Sequence, residues 1–319
     1  MIHIFWLLVG LVLLTVGGEA LVRGALAAAR RIGVSPLLAG LVIVGFGTSA
    51  PELVVSLQAS IKGQPDIALG NVIGSNIANI LLILGISAII MPLVTHVRCL
   101  RRDGLMMLGA TILFMALASL NGLSRIEGSL FLVVLAGYLI WAYRTEKEDV
   151  HSPESELHKA ESEEIELVPM SVPLTILAIV GGLAMLIAGA DRFLLGAVGL
   201  GQALGVPESI IGLTVVAVGT SLPELAVSII AAIRRHADVA VGNIVGSNIF
   251  NILCILGISS VITPLPLQGR LLQIDQFVML GAAAMLLAFL FFGLRVSRLK
   301  GAILLASYLV YLGVMFGYQ

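Results

Sequence analysis

Two short stretches carry most of the chemistry available to this chain. The first is Gly47-Thr48-Ser49-Ala50-Pro51-Glu52. The second, 172 residues later, is Gly219-Thr220-Ser221-Leu222-Pro223-Glu224. Each is followed at the same distance by another polar cluster: Gly70-Asn71 through Gly74-Ser75-Asn76 to Asn79, and Gly242-Asn243 through Gly246-Ser247-Asn248 to Asn251. On a helix, Ser49 and Ser56 lie three before and four after Glu52 and share its face, and Ser75 shares a face with Asn79. Pro51 has no N–H and its ring crowds the carbonyl one turn back at Gly47, so carbonyls near Gly47 and Thr48 are expected to leave the helical ladder. The inventory is all oxygen. Hard cations such as calcium take about 6–8 oxygen ligands, whereas softer metals want His or Cys. The five histidines (His3, His96, His151, His158 and His236) fall at the terminus, in loops or near helix ends. Ser, Thr and Gly are also ordinary packing devices in membrane helices. What favours an ion site is that a carboxylate, expensive to place in hydrocarbon, is placed there twice.

The elements that must position these groups are membrane helices. The chain has 319 residues, 59% hydrophobic and 12% charged, with mean hydropathy +1.08, against about 25% charged in soluble domains. Runs long enough to span a bilayer, about 20 apolar residues each, are expected at 2–22, 36–61, 67–91, 104–120, 127–143, 170–190, 207–233, 239–262, 275–294 and 300–318. Between the fifth and sixth, 144–168 is an acidic linker containing Glu146, Glu148, Asp149, Glu154, Glu156, Glu161, Glu163, Glu164 and Glu166, a composition that does not build a packed core. The flanking halves are a repeat at a constant offset of 172: Gly33 matches Gly205, Gly40 Gly212, Asp66 Asp238, Gly85 Gly257, Ser87 Ser259 and Pro92 Pro264. Five spans per half is odd, so the second half enters the membrane from the other side. Basic residues favour cytoplasmic loops. With the N-terminus outside, 14 of the 18 Lys and Arg fall inside and 4 outside, Arg98, Arg101 and Arg102 among the inner ones. The expected fold is an all-α integral membrane protein of ten transmembrane helices, built as two inverted five-helix repeats (1–143 and 169–319) around the cytoplasmic linker, with both termini extracytoplasmic. Glu19 with Arg23, and Asp191 with Arg192, are expected to be helix-end charges, and Asp66 and Asp238 to cap helix starts.

Other classes are disfavoured. A net charge of −1 suggests no nucleic-acid partner. Cys99 and Cys254 are expected to be unpaired thiols. Met1-Ile2-His3 runs straight into apolar sequence without a cleavable signal pattern. No HExxH or GxSxG motif is present, and an intramembrane hydrolase would need such a nucleophile–base pair or His-rich metal site. Inverted repeats are typical of secondary transporters with a midplane site between the copies.

With these residues assembled, the chain resembles the cation/calcium exchanger superfamily and, within it, the prokaryotic sodium/calcium exchanger branch. GTSAPE with GNVIGSNIAN, and GTSLPE with GNIVGSNIFN, are similar to that family's two signature repeats. The resemblance implies an antiporter, not an enzyme, that exchanges sodium for calcium by alternating access and exports calcium from the cell across the plasma membrane. Residue by residue, it implies that Glu52 and Glu224 are the calcium carboxylates and that Thr48 and Thr220 offer calcium their carbonyls. Ser49, Ser75, Ser221 and Ser247 become sodium ligands with the carbonyls of Gly45 and Ala217, and Asn79 and Asn251 flank the centre. Helices 1 and 6 become the sliding elements. No cofactor is implied. The expected partners are calcium, sodium and the lipid bilayer, with a monomer as the transport unit. Some family members carry aspartate where this chain has Asn251. Here the centre carries at most −2, which one calcium neutralises and three sodium ions leave at +1. Two buried glutamates could also carry protons, so a calcium/proton antiporter is the main alternative and a passive cation channel the lesser one.

Overall fold

The structure, a computed structural model, describes residues 2–95, 97, 99–148, 170–204 and 219–317. It is a bundle of apolar helices: α1 (Ile2–Ile32), α2 (Pro36–Thr48), α3 (Ala50–Ile61), α4 (Pro65–Ile90), α5 (Arg101–Ser119), α6 (Arg125–Thr145), α7 (Val172–Ala203), α8 (Leu222–Ile233), α9 (Ala237–Ile262), α10 (Leu271–Phe291) and α11 (Arg298–Met315). Eight of these are each long and apolar enough to cross a bilayer, and α2 with α3 forms a ninth candidate span bent by 44°. Most of the acidic linker and the 207–218 part of the seventh expected span lie outside the described residues.

Several boundaries differ from expectation for physical reasons. Glu19 does not end α1. Arg23, one turn on, takes its charge at 2.7 Å, the helix continues ten residues beyond the expected end, and Arg30 and Arg31 fill its last turn, where cations suit the helix dipole. Glu19 also binds Arg234 beyond the end of α8 at 2.9 Å, so it ties two helices together rather than marking an end. Beside this cluster, His236 is held below the ordinary imidazole range by burial and then by Arg30. Asp191 lies within α7, 3.8 Å from Arg192. Asp66 and Asp238 do not cap. Gln64 and His236 occupy the cap positions and the two aspartates sit in the first turn, where the dipole favours an anion.

The helices divide by burial. In α9, 89% of the apolar window is inside the protein and in α4 72%, against 28% in α1 and 22% in α7. So α4 and α9 form the centre. The outer pair packs along its length on glycines: a Cβ at Gly17 would lie 2.8 Å from the Gly182 carbonyl, and one at Gly189 2.8 Å from the Leu14 amide. Their other faces present Phe5, Leu8, Leu177 and Val180 outward, as lipid-facing residues should. Two short antiparallel ties complete the fold: β1 (Leu93–Val94) against β2 (Arg295–Val296), and Leu123 exchanging two 2.8 Å hydrogen bonds with Leu265.

Arg102 is not a loop cation. It is 4% exposed and grips Asp103 at 2.6 and 3.1 Å, while the Tyr138 hydroxyl donates to the same carboxylate at 2.8 Å. Breaking a buried pair from one side strands the other charge at about 3–5 kcal/mol, whereas losing one hydroxyl costs about 1 kcal/mol. Arg102→Met should therefore lower the melting temperature in detergent several times more than Tyr138→Phe, as read by thermal shift.

Candidate cation site

The four polar motifs converge between the α2–α3 bend, α4, the start of α8 and α9. The bend falls at Ser49, whose φ −81° and ψ 7° interrupt the helix, with Ala50 and Pro51 opening α3. This is the break that the missing Pro51 N–H dictates. It leaves Glu52 in the first turn of α3. Ser221 (φ −91°, ψ 11°) and Pro223 do the same for Glu224 at the start of α8. Both carboxylates are fully buried.

Each carboxylate is held by the other motif. The Ser49 hydroxyl donates to Glu224 Oε1 at 3.0 Å and the Ser221 hydroxyl to Glu52 Oε1 at 3.2 Å. The backbone behind each glutamate is pinned by an asparagine that sequence reasoning left out of the site. Asn71 Nδ2 donates to the Ser56 hydroxyl (2.9 Å) and the Glu52 carbonyl (3.2 Å). Asn243 Nδ2 does so to Ser228 (2.9 Å) and the Glu224 carbonyl (3.3 Å). The available signal was the spacing, 19 residues in both halves.

The two halves differ in detail. Thr48 donates to Asn243 Oδ1 at 3.2 Å, while the Thr220 hydroxyl, also enclosed, makes no hydrogen bond within 3.5 Å among the described residues. Ser247 donates to the Gly45 carbonyl at 3.1 Å, whereas Ser221 also reaches Ser75 at 3.4 Å. Hydrogen bonds thus link Glu224 with Ser49, Glu52 with Ser221 and Ser75, and Gly45 with Thr48 and Ser247; Ala217 lies outside the described residues.

Asn79 and Asn251 are buried and each opens a π-helical turn, Asn79–Leu84 in α4 and Asn251–Leu256 in α9. Such turns widen the backbone ladder and are frequent at functional sites. The close helix approach expected of the glycines holds at Gly242 and Gly246, whose added Cβ atoms would strike the α2 backbone. At Gly70 and Gly74 an added Cβ would meet nothing closer than 4.0 Å among the described residues.

The remaining acceptors define what this centre can hold. Glu52 Oε2, Glu224 Oε2, Asn79 Oδ1 and Asn251 Oδ1 are all buried with no donor among the described residues. Buried acceptors are nearly always satisfied, and leaving a carboxylate oxygen bare is costlier than leaving an amide. Two carboxylate and two amide oxygens, one pair from each motif type, suit a small hard cation. Among the described residues no three His, Cys, Asp or Glu side chains gather to hold a metal, so the charged part of this centre is the glutamate pair.

A multi-span helical membrane protein with a buried, acceptor-rich centre is thereby defined. A family profile described as sodium/calcium exchanger protein matches residues 2–144 and 174–317, and the chain belongs to that family. It is 37% identical to the putative antiporter CaxA of Alkalimonas amylolytica, over 98% of both chains. It is 34% identical to the sodium/calcium exchanger MaX1 of Methanosarcina acetivorans, over 97% of both. Its fold matches that of the sodium-calcium exchanger NCX_Mj, solved after soaking with zero Na+ and Ca2+, with TM-score 0.84, 32% identity and 98% coverage of each chain.

Proposed function

We propose that this protein exchanges sodium for calcium across the cell membrane by alternating access, with calcium leaving as sodium enters. The observation that carries the reading is the set of four buried acceptor oxygens without donors among the described residues, on Glu52, Glu224, Asn79 and Asn251. Calcium and sodium compete for this one centre. Without a cation, two carboxylates face each other in a low dielectric, where like charges repel strongly. That state should not reorient, and this couples the two fluxes. In this reading Glu52 and Glu224 hold calcium with the carbonyls of Thr48 and Thr220. Ser49, Ser75, Ser221 and Ser247 serve sodium with the carbonyls of Gly45 and Ala217. The site lies between inverted five-helix repeats, 1–143 and 169–319, joined by the cytoplasmic linker 144–168, making ten spans with both termini outside. One chain is the transport unit, in the plasma membrane, and it carries no cofactor.

Support comes from the family and from the offset of 172 that relates so many contacts: Ser49–Glu224 to Ser221–Glu52, and Asn71–Ser56 to Asn243–Ser228. The test is radiocalcium flux in proteoliposomes. An imposed sodium gradient should move calcium against its own gradient, and choline in place of sodium at a fixed pH gradient should stop it. Flux that persists in choline, driven by protons, would overturn sodium coupling, and purely downhill flux would indicate a channel.

The serines give a graded prediction. A hydrogen bond to a charged group contributes about 1.5–3 kcal/mol, so Ser49→Ala and Ser221→Ala should each raise the half-saturating calcium concentration by about tenfold or more. Their effects should be alike, because each serves the opposite carboxylate.

A further inference from the structure

Asn76 and Asn248 belong to no ligand set described above, yet both are buried and both touch the central asparagines. Asn251 Nδ2 donates to Asn76 Oδ1 at 3.0 Å, and Asn79 Nδ2 donates to Asn248 Oδ1 at 3.4 Å. Each bond crosses between α4 and α9. An amide has one accepting and one donating end, so a central asparagine whose NH2 group is committed this way must turn its oxygen elsewhere. Both of those oxygens are buried and without donors among the described residues.

What fixes the sense of Asn76 and Asn248 lies one step further out. Asn76 Nδ2 faces the Asn248 carbonyl at 3.4 Å and Met279 Sδ at 3.7 Å. Asn248 Nδ2 faces Met107 Sδ at 3.6 Å. A carbonyl oxygen and a thioether accept but cannot donate. If Asn76 were flipped, its oxygen would face two acceptors and its NH2 group would face the NH2 of Asn251. The arrangement is a relay of polarity that starts at acceptor-only atoms and ends with an oxygen at the centre. It is present twice, with each member 172 residues from its mate: Asn76 and Asn248, Asn79 and Asn251, Met107 and Met279.

We propose that Asn76 and Asn248 are positioning residues for cation binding, holding the amides of Asn251 and Asn79 so that oxygen rather than NH2 faces the transported ion. The proposal rests on the cation-site reading given above. A cation tolerates an amide oxygen and is repelled by an amide NH2, so a loss of sense removes one ligand and introduces a misdirected dipole.

A double-mutant cycle tests this in the full-length protein, by sodium-driven radiocalcium uptake and calcium-induced thermal stabilisation. Asn76→Leu, close in volume and without polar atoms, should raise the half-saturating calcium concentration about tenfold, the worth of one oriented hydrogen bond. The maximal rate should fall much less. Asn251→Asp replaces the orientable amide with a carboxylate that presents oxygen either way round. In that background Asn76→Leu should cost less than about threefold, since non-additivity is the mark of action through a shared partner.

An equal penalty in both backgrounds, or none in either, would overturn the proposal. If Asn76→Leu does not fold, the mirrored cycle of Asn248→Leu with Asn79→Asp decides by the same criterion. If neither leucine variant folds, Asn76→Asp, which keeps an accepting oxygen for Asn251 and in its protonated form an O–H for the Asn248 carbonyl, decides instead. It should stay within about threefold of the parent, and a loss of tenfold would overturn the assignment. Glu52→Gln run alongside separates this failure from failure of the site. Full transport by Glu52→Gln would sink the cation-site reading itself, whereas a dead Glu52→Gln with a normal Asn76→Leu would sink only the relay.

Discussion

Glu52→Gln and Glu224→Gln are each expected to abolish sodium-driven calcium movement while leaving the ion-free protein at least as stable as the parent. Glutamine keeps the volume of glutamate and an accepting oxygen for the Ser221 or Ser49 hydroxyl that now binds Oε1. What is lost is one of two negative charges at fully buried positions, the pair that the proposed exchange sets against a divalent ion. Removing one partner of a buried, hydrogen-bonded charge interaction costs about 3–5 kcal/mol, which is about a hundredfold to a few thousandfold in affinity. The ion-free protein feels the opposite sign, because a charge that was expensive to keep in a low-dielectric interior has gone. A defect in folding would move both quantities downward together, so the pairing of lost flux with retained stability identifies the ion. Ligand-linked stabilisation grows as RT ln(1 + [L]/Kd). The melting temperature of the parent should therefore climb with calcium, and that of either variant should stay flat. Near-normal transport by one of the two would mean that the carboxylates are not equivalent partners at one site.

The parts of this centre that were legible in the sequence are those in which covalent chemistry leaves no choice. A proline without an N–H breaks the helix just before it, and the bend at Ser49 and the non-helical backbone at Ser221 follow. A glutamate in an apolar run must be buried with polar company, and Ser49 and Ser221 supply it. What the sequence could not reveal is which motif serves which. Spacing along one helix placed Ser49 on the face of Glu52, whereas its hydroxyl is given to Glu224 across the bundle. Local periodicity describes one helix face, and the bond depends on a crossing between helices far apart in sequence. The same limit applied to Asn76 and Asn248. They were visible within their motifs, but their task is set by thioethers on α5 and α10 that carry no polar signal of their own. Arg102 looks like a loop charge in the sequence because charge patterning cannot register a buried carboxylate next door and a tyrosine hydroxyl 36 residues away (Tyr138). The ends of α1 and α7, at Ile32 and Ala203, lie beyond the expected ones for a related reason: in sequence, a charge inside a helix looks the same as a charge at its end.

A second large effect is expected at Gly246, and its sign can be argued against a matched control. In an exposed or roomy helix position, Gly→Ala stabilises by about 1 kcal/mol, because alanine loses less backbone entropy. Gly281, on α10, has nothing within 4 Å of where a Cβ would stand, so Gly281→Ala should be neutral or stabilising. At Gly246 the added carbon would sit 2.7 Å from Leu41 Cα and 2.9 Å from its carbonyl carbon, with the Leu41 oxygen closer still. These are backbone atoms inside the π-helical turn Gly40–Val44, and they cannot rotate away as a side-chain tip would. Overpacking of this kind costs about 1–3 kcal/mol, which cancels or exceeds the propensity gain, so stability should fall modestly. Transport should fall further than stability does. Forcing α9 away from α2 stretches the Ser247–Gly45 bond at 3.1 Å and the Thr48–Asn243 bond at 3.2 Å, and in the proposed site these bonds set the spacing of the ligand oxygens. A displacement of a few tenths of an ångström is small for a folded bundle but large for a coordination shell, where oxygen distances to calcium occupy a range of about 0.3 Å. Gly246→Ala should accordingly lose about tenfold or more in calcium affinity for a melting temperature only a few degrees lower, and Gly281→Ala should lose neither. Equal behaviour of the two variants in a parallel thermal-shift and flux comparison would show that the α2–α9 contact does not gauge the site.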